Sequence, residues 1–242
     1  MIGVLRPMFT ALALALAAPA SATDLSADEI KQLALEAIRQ NPEIVMEAVA
    51  ILQARDEQTA AAAAAQVLSE QRFMLEEDPN APVLGNPDGD VTIVEFFDYN
   101  CPYCKQAATA VEALIAADDN IRVVFREWPI LSDGSVLAAL AALAARKQGQ
   151  YEAFHREMMA LRGRAEEASV LAAAEKIGID MEALRADMDA PDIAEHVDQS
   201  MRLAEMLGFS GTPSFVIGDA LVPGFVPIEE LERLVAKARE TQ

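Results

Sequence analysis

Cys101 and Cys104 sit two residues apart at the place where an apolar strand gives way to a helix, and few folds accommodate that arrangement. Residues 91–97, Val-Thr-Ile-Val-Glu-Phe-Phe, are β-branched and aromatic, which predicts a buried strand that breaks by Asn100. Pro102 suits the first helical position, where its missing N–H costs nothing, and the alanine-rich residues 105–117 continue the helix. A first helical turn has N–H groups without intrahelical partners and the positive end of the helix dipole, so it favours an anion. The anion expected there is the Cys101 thiolate, because helix N-termini and Cys-x-x-Cys spacing lower a thiol pKa from about 8.5 by roughly one to five units. Cys101 is the expected attacking sulfur; Cys104, one turn further in, is placed to close a disulfide with it.

Other uses of two cysteines fit less well. The chain has no third cysteine, and His155 and His196 are remote in sequence, so a closed four-ligand zinc site is hard to build. An inert structural disulfide at this spacing closes too short a loop to constrain the unfolded chain much. Redox exchange uses both sulfurs and needs no cofactor beyond the Cys101–Cys104 disulfide itself. The rival from another class is a binding protein for Cu(I), held between two soft thiolates. No methionine cluster flanks the pair, which ranks that reading below exchange, and no metal site is expected.

Residues 1–22 read as a cleaved secretory signal: Arg6, an apolar run over residues 8–18, then Ala20-Ser21-Ala22. That run is shorter than the roughly 20 residues that span a bilayer, so the expected product is exported to the periplasm and does not span the membrane. Removing Arg6 from the 19 basic residues leaves 18 against 39 acidic, a net charge of about −21, which argues against nucleic acid as a partner. Disulfides persist only in oxidising compartments, so a reactive cysteine pair there is poised to act on other exported proteins.

Ser26 and Glu29 form a capping-box pattern ahead of a helix over residues 27–40, and Asn41-Pro42 reads as a stop and a fresh start. The second helix, with Val45, Val49 and Leu52 on one face, continues through the alanines 60–65 towards Leu75. Residues 76–90, rich in proline and glycine, read as a linker or irregular lead-in. The expected division is therefore a signal at 1–22, a helical oligomerisation segment at 23–78 and a catalytic domain at 79–242. Residues 121–125 predict a second strand joined to the first by a parallel crossover. Residues 135–208 read as helical throughout, with Ser169 and Asp180 as N-caps and Gly178 and Gly208 as terminators. His155 and His196 read as packing histidines. Gly218-Asp219 between two short β-rich runs predicts a hairpin, and Pro227 opens a final helix. Glu95 shares a strand face with Val91, Ile93 and Phe97, so its carboxyl is expected among apolar groups, with the raised pKa that a proton acceptor for Cys104 requires.

Residues 96–105, Phe-Phe-Asp-Tyr-Asn-Cys-Pro-Tyr-Cys-Lys, together with Gly211-Thr212-Pro213, resemble the DsbA family of thioredoxin-fold proteins over roughly residues 82–240. The resemblance implies an α/β thioredoxin-like fold with a four-stranded sheet, an all-helical insertion at about 131–208, and a cis bond between Thr212 and Pro213 that sets this substrate-binding loop beside the disulfide. It also implies an acid at position 95. Residues 29–55 further resemble the N-terminal segment of the suppressor-of-copper-sensitivity branch, which implies a homo-oligomer, a trimer by that likeness. The implied partners are exported proteins bearing thiols or disulfides and a membrane redox partner that reoxidises or reduces the pair. The tuning dipeptide Pro102-Tyr103 departs from the Pro-His of the best-known oxidases, so the likeness carries no redox direction with it. Glutaredoxins also have Pro-Tyr there, but they are cytosolic, against the expected signal peptide.

Overall fold

The computed structural model describes residues 25–241; the expected signal peptide lies outside the described residues. Contacts divide the chain into two units, residues 1–55 and 56–242. In the first, α1 (Ala27–Gln40) starts at the Ser26 cap, whose Oγ accepts from Glu29 N at 3.3 Å while Glu29 Oε2 accepts from Ser26 N at 2.9 Å. After Asn41, α2 (Glu43–Glu76) begins. No described residue of this unit is buried, and Ile30, Leu33, Met46 and Leu52 are each more than half exposed.

The second unit is built on a mixed five-stranded sheet in the order β1-β3-β2-β4-β5, made of β1 (Val83–Gly85), β2 (Val91–Phe97), β3 (Ile121–Glu127), β4 (Ser214–Ile217) and β5 (Ala220–Pro223). Strands β2 and β3 are parallel and joined by α3 (Pro102–Ala117), whereas β1 pairs antiparallel with β3, and β4 pairs antiparallel with both β2 and β5. The likeness had implied four strands. The fifth comes from residues 83–85, inside the expected linker, where Val83 pairs with Val124 and Phe125 N donates to Pro82 O at 2.9 Å. Strand β3 also runs two residues beyond the expected Phe125.

Period-two alternation gives the central strands two faces of opposite chemistry. Val91, Ile93, Glu95 and Phe97 share one with Ile121, Val123, Phe125 and Glu127; their apolar members pack against α3 and α9 (Ile228–Glu240). Val94, Phe96 and Val124 form the other, with Leu68 and Leu75 from the second half of α2. Arg122 and Arg126 also lie on that second face. Arg126 is fully buried and donates to Asp78 Oδ2 at 2.6 Å, and Arg122 donates to Glu76 O at 2.6 Å. Residues 56–82 fall within the second unit, where Leu68 and Leu75 join the core and Asp78 the buried ion pair with Arg126.

The helical insertion consists of five helices, α4 (Asp133–Lys147), α5 (Tyr151–Ala160), α6 (Glu167–Lys176), α7 (Met181–Met188) and α8 (Pro191–Met206). Gly149 and Gly163 take positive φ of 70° and 96° in two of the breaks, which other residues adopt only with strain. Asp180 caps α7 as expected, accepting from Glu182 N and Ala183 N. Ser169 does not begin α6. Glu166 is its N-cap, and Ser169 Oγ reaches back to accept from Glu166 N at 2.9 Å. His155 and His196 are both buried, as packing histidines would be.

Candidate functional site

Cys101 is the N-cap of α3, with extended backbone, and Pro102 stands at the first helical position. Both cysteines carry free thiols; Cys104 is fully buried, and between them the Tyr103 ring is 57% exposed. The Cys101 thiol is pulled down to about 5, chiefly by its hydrogen bond with Cys104, with further help from Thr212 and from the backbone N–H groups of Cys104 and Tyr103. Those two N–H groups are the unpartnered donors of the first turn, so the local fold supplies the anion site directly. Burial drives the Cys104 thiol the opposite way, far upward, and its bond to Cys101 adds to the rise. The pair is thus one acidic sulfur, 5% exposed at the helix N-terminus, and one fully buried sulfur that keeps its proton.

The Thr212-Pro213 peptide bond is cis, and Thr212 O lies 3.2 Å from Cys101 Sγ. The loop is fixed there because β4 begins at Ser214, beside Phe96 near the end of β2, and because Pro213 O accepts from Gly224 N at 2.9 Å. Two segments 111 residues apart in sequence therefore meet at the cysteine pair.

Three residues around the motif pin its loop to the helical insertion. Asp98 Oδ1 accepts from Asn100 N at 2.7 Å, and its Oδ2 accepts from Ile130 N and Leu131 N at 2.9 and 3.0 Å. Asn100 accepts from Ala165 N at 2.7 Å and donates to Ser132 Oγ, Ser135 Oγ and Ala165 O. Lys105 Nζ donates to Leu161 O at 2.6 Å.

Two further buried carboxyls share the strand face that packs against α3. Glu95 is 1% exposed, and neither of its oxygens has a hydrogen-bond partner. Burial raises its pKa to about 8, and the Cys101 charge adds to the rise. Glu127, equally buried, is bonded: its Oε1 accepts from Tyr151 OH at 2.9 Å and from Tyr99 OH at 3.2 Å, and Tyr99 OH is 3.2 Å from His155 Nδ1. Burial drives Glu127 up and holds His155 neutral, near 3.

A family model described as a DSBA-like thioredoxin domain matches residues 92–236. The chain belongs to that family of thiol-disulfide oxidoreductases. Residues 28–59 match a second model, the copper resistance protein ScsC N-terminal domain. The solved structure of a thioredoxin-like oxidoreductase from Silicibacter pomeroyi DSS-3 is 59% identical, with a TM-score of 0.69 over 70% of this chain and 98% of that one. A linker-deletion mutant of Proteus mirabilis ScsC is 25% identical, with a TM-score of 0.70, covering 92% of this chain and all of that one. The Na(+)/H(+) antiporter NhaA 1 of Salinispora arenicola is 35% identical over 69% of this chain but only 26% of its own length, so the chain spans about a quarter of such curated relatives.

In this DsbA-like frame the cis Thr212-Pro213 bond lies against Cys101 and the Cys101 charge reaches Glu95; for Thr212 and Pro213 that placement is what the family resemblance implies. Asp98, Asn100, Lys105 and the Glu127 cluster escaped sequence reasoning. Asn100 carried a signal, since it adjoins Cys101 and is polar where the strand ends, but its partners lie 32 to 65 residues away.

Proposed function

We propose that this chain is an exported, periplasmic protein that exchanges disulfides with other exported proteins through the Cys101-Pro102-Tyr103-Cys104 pair. The observation that carries the reading is the opposed state of the two sulfurs: Cys101 acidic at a helix N-terminus, 3.2 Å from Thr212 O, and Cys104 buried behind it. In the reduced protein the Cys101 thiolate attacks a substrate disulfide, forming a mixed disulfide and releasing one substrate thiolate. Cys104 then gives its proton to Glu95 and attacks Cys101 Sγ. The Cys101–Cys104 bond forms, the bond to substrate breaks, and the second substrate sulfur leaves as a thiolate. Run in reverse, the same steps oxidise a substrate dithiol. The reduction potential and the membrane partner that resets the pair select the direction. Thr212 and Pro213 offer backbone to an extended substrate segment in the manner of strand addition, while Pro102 and Tyr103 tune the pair.

The unburied apolar residues of α1 and of the first turns of α2 support self-association of the chain through this segment, and the likeness of residues 28–59 to the ScsC N-terminal domain is the ground for taking the assembly as a trimer. Several Cys101 thiolates around one misfolded substrate would favour isomerisation, since a second attack becomes effectively intramolecular. Among the described residues no helix is long and apolar enough to cross a membrane. The reading is tested by incubating Cys101→Ser and Cys104→Ser variants with a disulfide-bonded substrate protein. Cys104→Ser should accumulate a mixed disulfide and Cys101→Ser should be inert; exchange by Cys101→Ser would overturn it.

A further inference from the structure

We propose that Glu127 is a positioning residue for disulfide exchange: gripped by Tyr99 and Tyr151, it takes the negative charge of the buried carboxyl pair and thereby sets the proton affinity of Glu95. The inference rests on the exchange reading and adds to it the control of the proton that Cys104 must lose and regain.

The geometry distinguishes the two acids. They lie on one face of neighbouring parallel strands, Glu95 opposite Phe125 and Glu127 opposite Phe97, one diagonal step apart. Two phenol O–H groups donate to Glu127 and none to Glu95, and donors favour the ionised form. Tyr99 has a single proton. If it donates that proton to Glu127, its oxygen is left to accept from His155 Nδ1–H, which a neutral imidazole can supply. The chain of bonds from His155 through Tyr99 to Glu127 then has every donor assigned and ends on a carboxylate. Phe97, Phe125 and His155 ring contacts of 4.7 to 5.6 Å hold the cluster in place, so the donors are fixed rather than adaptable.

The titratable groups that reach this face are Cys101 and Cys104 from α3, Asp98 and Tyr99 from the loop after β2, and Tyr151 and His155 from α5; β4 and α9 contribute apolar side chains. Burial is the largest cause of the rise at Glu127, and the charges of Asp98 and Glu95 add to it; the two phenol donors oppose that rise, and because Glu95 has none, they are the geometric ground for placing the shared charge on Glu127. With the charge resting on Glu127, Glu95 becomes the stronger base. It accepts the Cys104 proton as the internal disulfide closes and returns it when the disulfide opens. Glu95 near 8 has both forms populated around neutral pH, which suits a group that must work in both directions.

The test follows the carboxyl carbon of Glu95 by NMR across pH in the reduced full chain with labelled glutamate, the signal assigned by its loss in Glu95→Gln. In Glu127→Gln the Glu95 midpoint should fall by about one pH unit, as expected for removal of a nearby like charge. Tyr151→Phe keeps the ring and removes one donor, so it should move the midpoint the same way by less, and it carries the test if Glu127→Gln fails to fold. The pH profile of Cys104 attack on a preformed mixed disulfide should move with the Glu95 midpoint, while the alkylation midpoint of Cys101 stays put. A Glu95 curve unchanged in the folded variants overturns the proposal whether or not the protein exchanges disulfides. A curve that moves in a protein that exchanges nothing would sink the functional reading and leave the carboxyl pairing standing.

Discussion

The acidity of Cys101 should be measurable both as reactivity and as stability. Its pKa falls from the ordinary 9.0 to about 5, with the Cys104 hydrogen bond as the largest cause. Four pH units at about 1.4 kcal/mol each set a ceiling of about 5.5 kcal/mol on the preference for the folded thiolate. Cys101 itself is 5% exposed, but the adjoining Tyr103 is 57% exposed, so solvent screens the charge in part and ~2–3 kcal/mol is the expected effect. A folded-state pKa below the unfolded one gives stability that is present above the unfolded value and is lost as pH falls through the folded one. The reduced protein should therefore gain on the oxidised protein as pH rises from about 5 to about 9, and the gain should vanish below about 5.

A hydrogen bond to a charged group contributes about 1.5–3 kcal/mol, or roughly one to two pH units. Cys104→Ala, which removes the donor, should accordingly raise the Cys101 midpoint by that amount and leave the helix N-terminal contribution. The assay is the rate of iodoacetamide alkylation against pH for both proteins, alongside denaturant unfolding of reduced and oxidised chains at pH 5, 7 and 9. A wild-type midpoint at or above about 8 would refute the argument. An unchanged midpoint in Cys104→Ala would refute the part assigned to the sulfur–sulfur hydrogen bond.

Two further outcomes follow from the second face of the sheet and from the N-terminal helices. Arg126→Met should destabilise the catalytic unit by about 3–5 kcal/mol in denaturant unfolding, because it strands the buried Asp78 carboxylate, and adding Asp78→Asn should recover much of the loss; equal effects of the single and double variants would refute this. A chain beginning at Asp56, which keeps Leu68, Leu75 and Asp78, should be monomeric by light scattering and should reshuffle a scrambled disulfide substrate more slowly than the full chain, whereas a full chain that is itself monomeric at micromolar concentration would remove the basis for isomerisation.

What could be read in advance was local. The cap at Ser26, the strand-to-helix cysteine pair, the Gly218 turn and the helix after Pro227 are each set by residues within a few positions of one another, and each appears where residue type alone places it. What escaped depends on pairing across the chain. Residues 83–85 are too short and too close to prolines to announce a strand, and they become one only because Val124 lies opposite Val83. The second half of α2 reads as a weakly apolar, alanine-rich continuation, yet Leu68 and Leu75 are core residues of the catalytic unit. Glu127 is the most instructive case. Arg126-Glu127 looks like the polar end of a strand, and the apolar run ends at Phe125. Once β3 is in register with β2, the same alternation that puts Glu95 on the face packed against α3 puts Glu127 there too and sends Arg122 and Arg126 to the opposite one, where Asp78 and the carbonyls of α2 meet them. The period of two was visible in both strands. The register that turns two isolated acids into a neighbouring pair, one bonded and one bare, is a property of the sheet alone.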